Sequence, residues 1–218
     1  DKISLLPNCC DPFRFQPRPR DTALANTLGI PDGVLVIGYV GSFVDYEGLE
    51  DLANACVEIR KLGYVFRLLF VGASEGNTYS NIKRCADRGG LADWLIMPGR
   101  IPHSEVEQWY SLIDIAPFPR KSVKIAELVT PLKPLEAMAM GKAVLVSSVQ
   151  AMSEIVDDGV TGIIFEKDNI SALASSLMRL LTDSGLRHGL AVNARSFIES
   201  ERTWGLMAIR VKHWVQSL

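Results

Sequence analysis

The chain predicts an α/β fold: a doubly wound, Rossmann-like parallel sheet of about six strands with helices on both faces. Three observations carry that expectation. The apolar runs VLVIGYVG (34–41), FRLLFVG (66–72) and AVLVS (143–147) have the continuous pattern of strands buried on both faces. Between them lie segments whose apolar residues recur at helical spacing. Strand and helix alternate along the chain, as a parallel sheet with crossover helices requires.

Taken in order, residues 1–33 carry five of the eleven prolines (7, 12, 17, 19 and 31) and little periodicity. They read as a linker or lead-in outside the core, with the folded domain over 34–218. The helix after Gly48 places Leu49, Leu52, Cys56 and Ile59 on one face and stops at Gly63. After the second strand comes a polar helix over about 78–87. Short strands are predicted near 94–97 and 113–117, separated by a helix carrying Val106, Trp109, Tyr110 and Ile113. Ser104-Glu105-Val106-Glu107 has the capping-box pattern, which makes His103 a helix-opening residue rather than a base. AVLVS and GIIF (162–165) complete the sheet, and helices are predicted over 171–181, 184–199 and 203–216.

Composition narrows the function. With 23 Lys+Arg against 25 Asp+Glu, the 218 residues carry a net charge of −2, unlike a general nucleic-acid binder or a polybasic membrane protein. At 48% hydrophobic the chain is neither disordered nor a disulfide scaffold. A fold this size hides roughly 70% of the surface its unfolded chain exposes. The longest apolar stretch, 34–41, is about a third of a membrane span. The first residue is Asp1, so the chain reads as processed or as a piece of something longer, with no secretory leader. Four cysteines and three histidines (103, 188, 213) share no metal-like spacing, and neighbouring Cys9 and Cys10 pair only under strain. Reduced thiols and no metal site are expected.

Sheets of this kind bind ligands at the carboxyl ends of their strands. Here those ends offer Gly41-Ser42, Gly72-Ala73, Gly99-Arg100, Pro119-Arg120 and Ser147-Ser148. The first loop misses the Gly-x-Gly-x-x-Gly spacing, and neither a P-loop nor a Gly-x-Ser-x-Gly elbow occurs. A dinucleotide-linked dehydrogenase, a P-loop NTPase and a serine hydrolase of the elbow type are disfavoured. Between 118 and 133, Arg120, Lys121, Lys124 and Lys133 face the single acid Glu127. That segment leads into a helix expected to open near Thr130-Pro131. Free amides at a helix start, with cations beside them, suit an anion such as a diphosphate. Glu136, inside that helix, is placed to accept two hydrogen bonds from a ribose diol.

The stretch PLEAMAMGKAVLVSS, followed by SEIVDDGVTGIIF, resembles the C-terminal, donor-binding half of the group 1 retaining glycosyltransferases of GT-B fold. The resemblance runs from LLPNCCDPFRFQP (5–17) through PGRIPHSEV (98–106) to the helical end. It implies a nucleotide sugar held in this domain and an acceptor held in a separate N-terminal domain that the sequence lacks. Transfer would retain the anomeric configuration without an obligatory metal or other cofactor. The first 33 residues would connect to the missing half, and the chain alone would bind the donor without transferring it. The implied setting is polysaccharide biosynthesis in the cytoplasm, or at the inner membrane face through the missing domain, with an acceptor at the membrane surface admitted and no nucleic-acid partner. UDP is slightly preferred; base, sugar and acceptor stay open.

Carried over by position, Glu136 resembles the ribose-binding second glutamate of the family's pair. Thr130 and the backbone of Pro131, Leu132 and Lys133 match the loop that cradles sugar and diphosphate, and Gly41 with Ser42 matches the first-strand loop. Arg100 and Ile101 match the place where the base is met. Glu154 matches a recurring glutamate, as ligand contact or as organiser of a helix start. The sequence also departs from the pattern. The family's first glutamate falls on Leu128, with Glu127 one place early; Ser42 and Glu47 stand where an arginine and a lysine are usual, and Gln150 and Ala151 replace two glycines. Arg120 and Lys133 are expected to replace the lost cations, so the catalytic candidates are Glu136, Arg120, Lys133 and Glu127. The alternatives are a GT-B-type epimerase or phosphorylase domain, and a non-catalytic nucleotide-binding or interaction module.

Overall fold

The computed structural model describes Ile3 and residues 5–216; the reading of Asp1 as a processed or internal start lies outside them. Six parallel strands form one sheet: β1 (Val36–Val40), β2 (Arg67–Val71), β3 (Leu95–Gly99), β4 (Ile115–Phe118), β5 (Ala143–Ser147) and β6 (Ile163–Phe165). Their spatial order is β3-β2-β1-β4-β5-β6. β1 pairs with β2 on one side and β4 on the other, so the winding reverses there and leaves a crevice beyond the carboxyl ends. Every residue of β1, β4 and β5 is buried, which explains why their sequences show no apolar–polar alternation. The α/β, doubly wound, Rossmann-like expectation is borne out.

Ten helices surround the sheet among the described residues. They are α1 (Thr22–Thr27), α2 (Leu49–Lys61), α3 (Asn77–Gly89), α4 (Val106–Leu112), α5 (Lys124–Leu128), α6 (Lys133–Ala139), α7 (Gln150–Ser153), α8 (Ile170–Thr182), α9 (Ser184–Glu201) and α10 (Trp204–Gln216). On α2 the stripe of Leu49, Leu52, Cys56 and Ile59 is buried, with Glu50 and Asp51 in the first turn and Arg60 and Lys61 in the last. Those charges complement the helix dipole. Asp21, Asn169 and Asp183 cap α1, α8 and α9 with side-chain oxygens. All four cysteines are free thiols. No helix among the described residues is long and apolar enough to cross a membrane.

Three local expectations are corrected. The lead-in was expected to lie outside the core, yet Cys10, Phe15, Ala25 and Ile30 are buried in it. Proline-rich chain lacks periodicity but still packs. Its backbone is held by distant side chains: Arg195 Nη1 donates to the carbonyls of Pro12 (3.1 Å), Phe15 (2.7 Å) and, in α6, Ala139 (2.8 Å). The capping box does not form. Residues His103–Glu105 make a 3-10 turn ahead of α4, no side chain caps that helix, and the Glu107 carboxylate instead accepts from Arg14 Nε at 2.6 Å. Finally, the helix expected to open near Thr130-Pro131 begins at Lys133, with Pro134 in its first turn. Proline is tolerated there because the amide it lacks has no intrahelical partner.

Candidate functional site

Two clefts open at the carboxyl edge of the sheet. One, of about 620 Å³, is lined by Gly41, Ser42, Gly72, Arg100, Ile101 and His103, so it spans the loops after β1, β2 and β3. The other, of about 540 Å³, includes Leu128, Val129, Thr130, Glu154 and Arg202 in its walls. Gly41, Ser42, Arg100 and Ile101 thus fall in the first cleft, and Thr130 and Glu154 in the second. Pro131 is buried and Leu132 exposed on the turn that leads into α6.

Arg120 and Lys133 meet, but through an intermediary. Glu47 is buried at 2% exposure, and its carboxylate accepts from Arg120 Nη2 at 3.1 Å and Nε at 3.4 Å, and from Lys133 Nζ at 3.0 Å. Arg120 is itself only 5% exposed and also donates to the Val129 carbonyl at 2.8 Å. Lys133 Nζ donates in addition to Tyr39 Oη at 2.7 Å. Lys121, the neighbouring cation, pairs with Asp51 at 3.6 Å. The positive segment read in the sequence is therefore largely answered by acids that follow β1.

Glu136 sits half-buried in α6. Burial pushes its carboxyl above the ordinary glutamate range, against the pull of the nearby Arg14 and Lys133 charges, while Glu107 reinforces the rise. Among the described residues no donor bonds that carboxylate. The buried Tyr110 hydroxyl, which interacts electrostatically with Glu136, also has no hydrogen-bond partner among them. Arg14 brings the lead-in to this place: its Nη2 donates to the His103 carbonyl at 2.9 Å and its Nη1 lies 2.9 Å from His103 Nε2. A guanidinium only donates, so that ring nitrogen accepts.

Glu127 has other partners. It accepts from Lys167 Nζ at 2.5 Å, from the Gln150 amide at 2.7 Å and from Ser122 Oγ at 3.0 Å. These bonds, the Lys167 bond foremost, pull its carboxyl down to about 2. A carboxyl depressed in the folded state stabilises above its unfolded pKa, and that contribution is lost as pH falls through the folded value. Glu127→Gln is therefore expected to flatten the acid limb of stability between pH 4.5 and about 2. Urea midpoints measured across that window check this, and parallel curves for wild type and variant would refute it.

Sequence reasoning missed the partners rather than the principals. In the sequence Glu47 stands out only as a departure from the family pattern, and nothing local gives Tyr39, Arg14 or His103 a part in a site. No local signal could have found them, because Glu47 lies 73 and 86 residues from the cations it holds. No group of three or more His, Cys, Asp or Glu side chains able to hold a metal ion occurs among the described residues.

A parallel sheet whose order reverses beside two clefts at its strand ends defines a Rossmann-like α/β domain. Residues 21–197 match the family "Glycosyl transferases group 1", and the chain belongs to that family, whose fold is GT-B. Curated relatives include a lipopolysaccharide 1,2-N-acetylglucosaminetransferase of Salmonella typhimurium, 27% identical over 97% of this chain and 57% of that protein. A D-inositol 3-phosphate glycosyltransferase of Stackebrandtia nassauensis is 28% identical over 89% of this chain and 44% of that one. The chain thus spans about half the length of these relatives. Among solved structures, Anabaena HepE in complex with UDP and glucose superposes with a TM-score of 0.85 at 18% identity, covering 99% of this chain and 57% of that one. The C-terminal domain of a group 1 glycosyl transferase (LpcC) from Francisella tularensis superposes with a TM-score of 0.75 at 23% identity, over 89% of this chain and 99% of that domain. These likenesses are likenesses of fold.

Proposed function

We propose that this chain is the donor-binding half of a retaining glycosyltransferase, which moves a sugar from a nucleoside-diphosphate sugar to an acceptor hydroxyl. The observation that carries the reading is Glu136: a half-buried carboxylate with no donor of its own among the described residues, in the helix that begins with Lys133. It is suited to accept from the two hydroxyls of a ribose. The cleft of about 620 Å³ then takes the base against Arg100 and Ile101, and the diphosphate lies along Gly41, Ser42 and the turn from Thr130 to Lys133. UDP is the favoured nucleotide, in keeping with the UDP and UDP-glucose complexes of HepE. The acceptor domain, the cytoplasmic location and the absence of an obligatory metal belong to the same proposal.

In the reaction, the bond from the sugar C1 to the diphosphate oxygen breaks while the acceptor oxygen bonds to C1 from the same face and passes its proton to the departing diphosphate oxygen. Negative charge grows on the departing diphosphate, so preorganised donors there stabilise the transition state more than the ground state. Lys133 supplies a direct contact, the backbone N–H groups of Leu132 and Lys133 supply amides, and Arg120 adds positive potential from behind Glu47. Glu127 and Glu154 border the sugar end of the site. A second reading, a non-catalytic nucleotide-binding module, draws support from the engagement of both cations by Glu47.

The test is a thermal-shift series with UDP, GDP, ADP and their sugars. A ligand at a hundred times its dissociation constant stabilises by about 2.7 kcal/mol, roughly 5–10 °C for a chain of this size. A shift with at least one diphosphate is expected, and none at millimolar concentration would overturn the donor reading.

A further inference from the structure

We infer that Glu47 and Tyr39 are positioning residues for the donor diphosphate: together they hold the Lys133 ammonium over the first-strand loop with a single N–H left to donate. The inference builds on the donor-binding reading and names how its cation is aimed.

The geometry leaves little freedom. An ammonium has three protons and no acceptor. One Lys133 proton goes to Glu47 Oε1 at 3.0 Å and a second to Tyr39 Oη at 2.7 Å. Tyr39 cannot turn that bond around, because its own proton is donated to the Ser42 carbonyl at 3.1 Å. Glu47 cannot easily shift either. Its carboxylate is gripped from behind by the Arg120 guanidinium, at 3.1 and 3.4 Å, and both residues are buried. The Lys133 stem crosses Gly41 so closely that a Cβ built there would lie 2.3 Å from Lys133 Cε. Only a glycine lets the lysine reach across the end of β1. The ammonium therefore has a fixed place beside the loop that lines the cleft, and its third proton can serve one anionic oxygen.

A buried carboxylate between two cations could be merely structural, or could merely lower the local charge. Substitutions that keep every charge distinguish these roles from positioning. Tyr39→Phe removes one acceptor, and Glu47→Asp keeps the carboxylate but draws it back by one methylene. Each is combined with Lys133→Ala, and UDP affinity is measured by titration calorimetry on the 218-residue chain. In the presence of Lys133, each substitution is expected to weaken UDP binding five- to tenfold. In the Lys133→Ala background, neither should weaken it further, because the aimed group is gone. Equal losses in both backgrounds, or no loss in either, would overturn the positioning role while leaving donor binding intact. A wild-type chain that binds none of UDP, GDP and ADP would overturn the donor reading and this inference with it. Should Glu47→Asp fail to fold, the Tyr39→Phe cycle decides alone, since it removes a single oxygen.

Discussion

Arg120→Ala is expected to cost about 3–5 kcal/mol of folding stability, the usual loss when one partner of a buried ion pair is removed. The side chain is 5% exposed, bonds Glu47 twice and bonds the Val129 carbonyl. Its deletion strands a buried carboxylate with Lys133 alone and leaves that carbonyl without its donor. Arg120→Lys is expected to recover only part of the loss, because an ammonium cannot present the forked geometry that spans both Glu47 oxygens. Urea unfolding at neutral pH measures both. A loss below about 1 kcal/mol for the alanine variant is the range of a solvent-exposed pair and would refute the buried role.

Glu136→Gln is expected to act in the opposite sense on the two properties. On the donor reading it loses charge-assisted bonds to the ribose, each worth roughly 1.5–3 kcal/mol, so UDP affinity should fall about a hundredfold, near 2.7 kcal/mol. Folding stability should not fall with it. The carboxyl is raised above its unfolded value of 4.5 by burial, so the folded state holds its proton more tightly. Ionised Glu136 therefore destabilises, with a penalty that is absent below the unfolded pKa and grows as pH rises through the folded one. The glutamine variant should lack that decline, and urea midpoints from pH 4 to 7 show whether it does. Weaker UDP binding without the change in pH dependence would contradict the burial argument; the reverse would contradict the ribose contact.

Those two residues show where sequence is informative and where it stops. The sheet was legible because buried parallel strands cannot alternate, and VLVIGYVG and AVLVS announce themselves. Glu136 was legible because EAMAMGKAVLVSS carries a family pattern around it. Charge was misleading at the same distance. Arg120, Lys121 and Lys133 look like an unbalanced cluster because their counterions, Glu47 and Asp51, come from the segment that follows the neighbouring strand, β1. Pairing across the sheet is a property of topology, and a linear window cannot contain it. Helix starts were legible where a local residue marks them, as at the capping side chains Asn169 and Asp183 and at Gly48 ahead of α2. Before α4 and α6 the start is set by tertiary contacts and chain geometry instead, and the local patterns point to the wrong residue.

The Arg195 fork has a consequence for where this domain can be cut. Regular sheet begins at Val36, yet the carbonyls of Pro12 and Phe15 are acceptors for α9, the Cys10 amide donates to the Arg202 carbonyl, and Asn8 donates to Thr130. A boundary placed at the first strand would sever all of these and open the apolar surface beneath Phe15 and Ile30. The smallest cooperative folding unit therefore includes the proline-rich segment from about Asn8 onward. Any force applied to the chain ahead of Asn8 would reach the loop before Lys133 within one hydrogen bond.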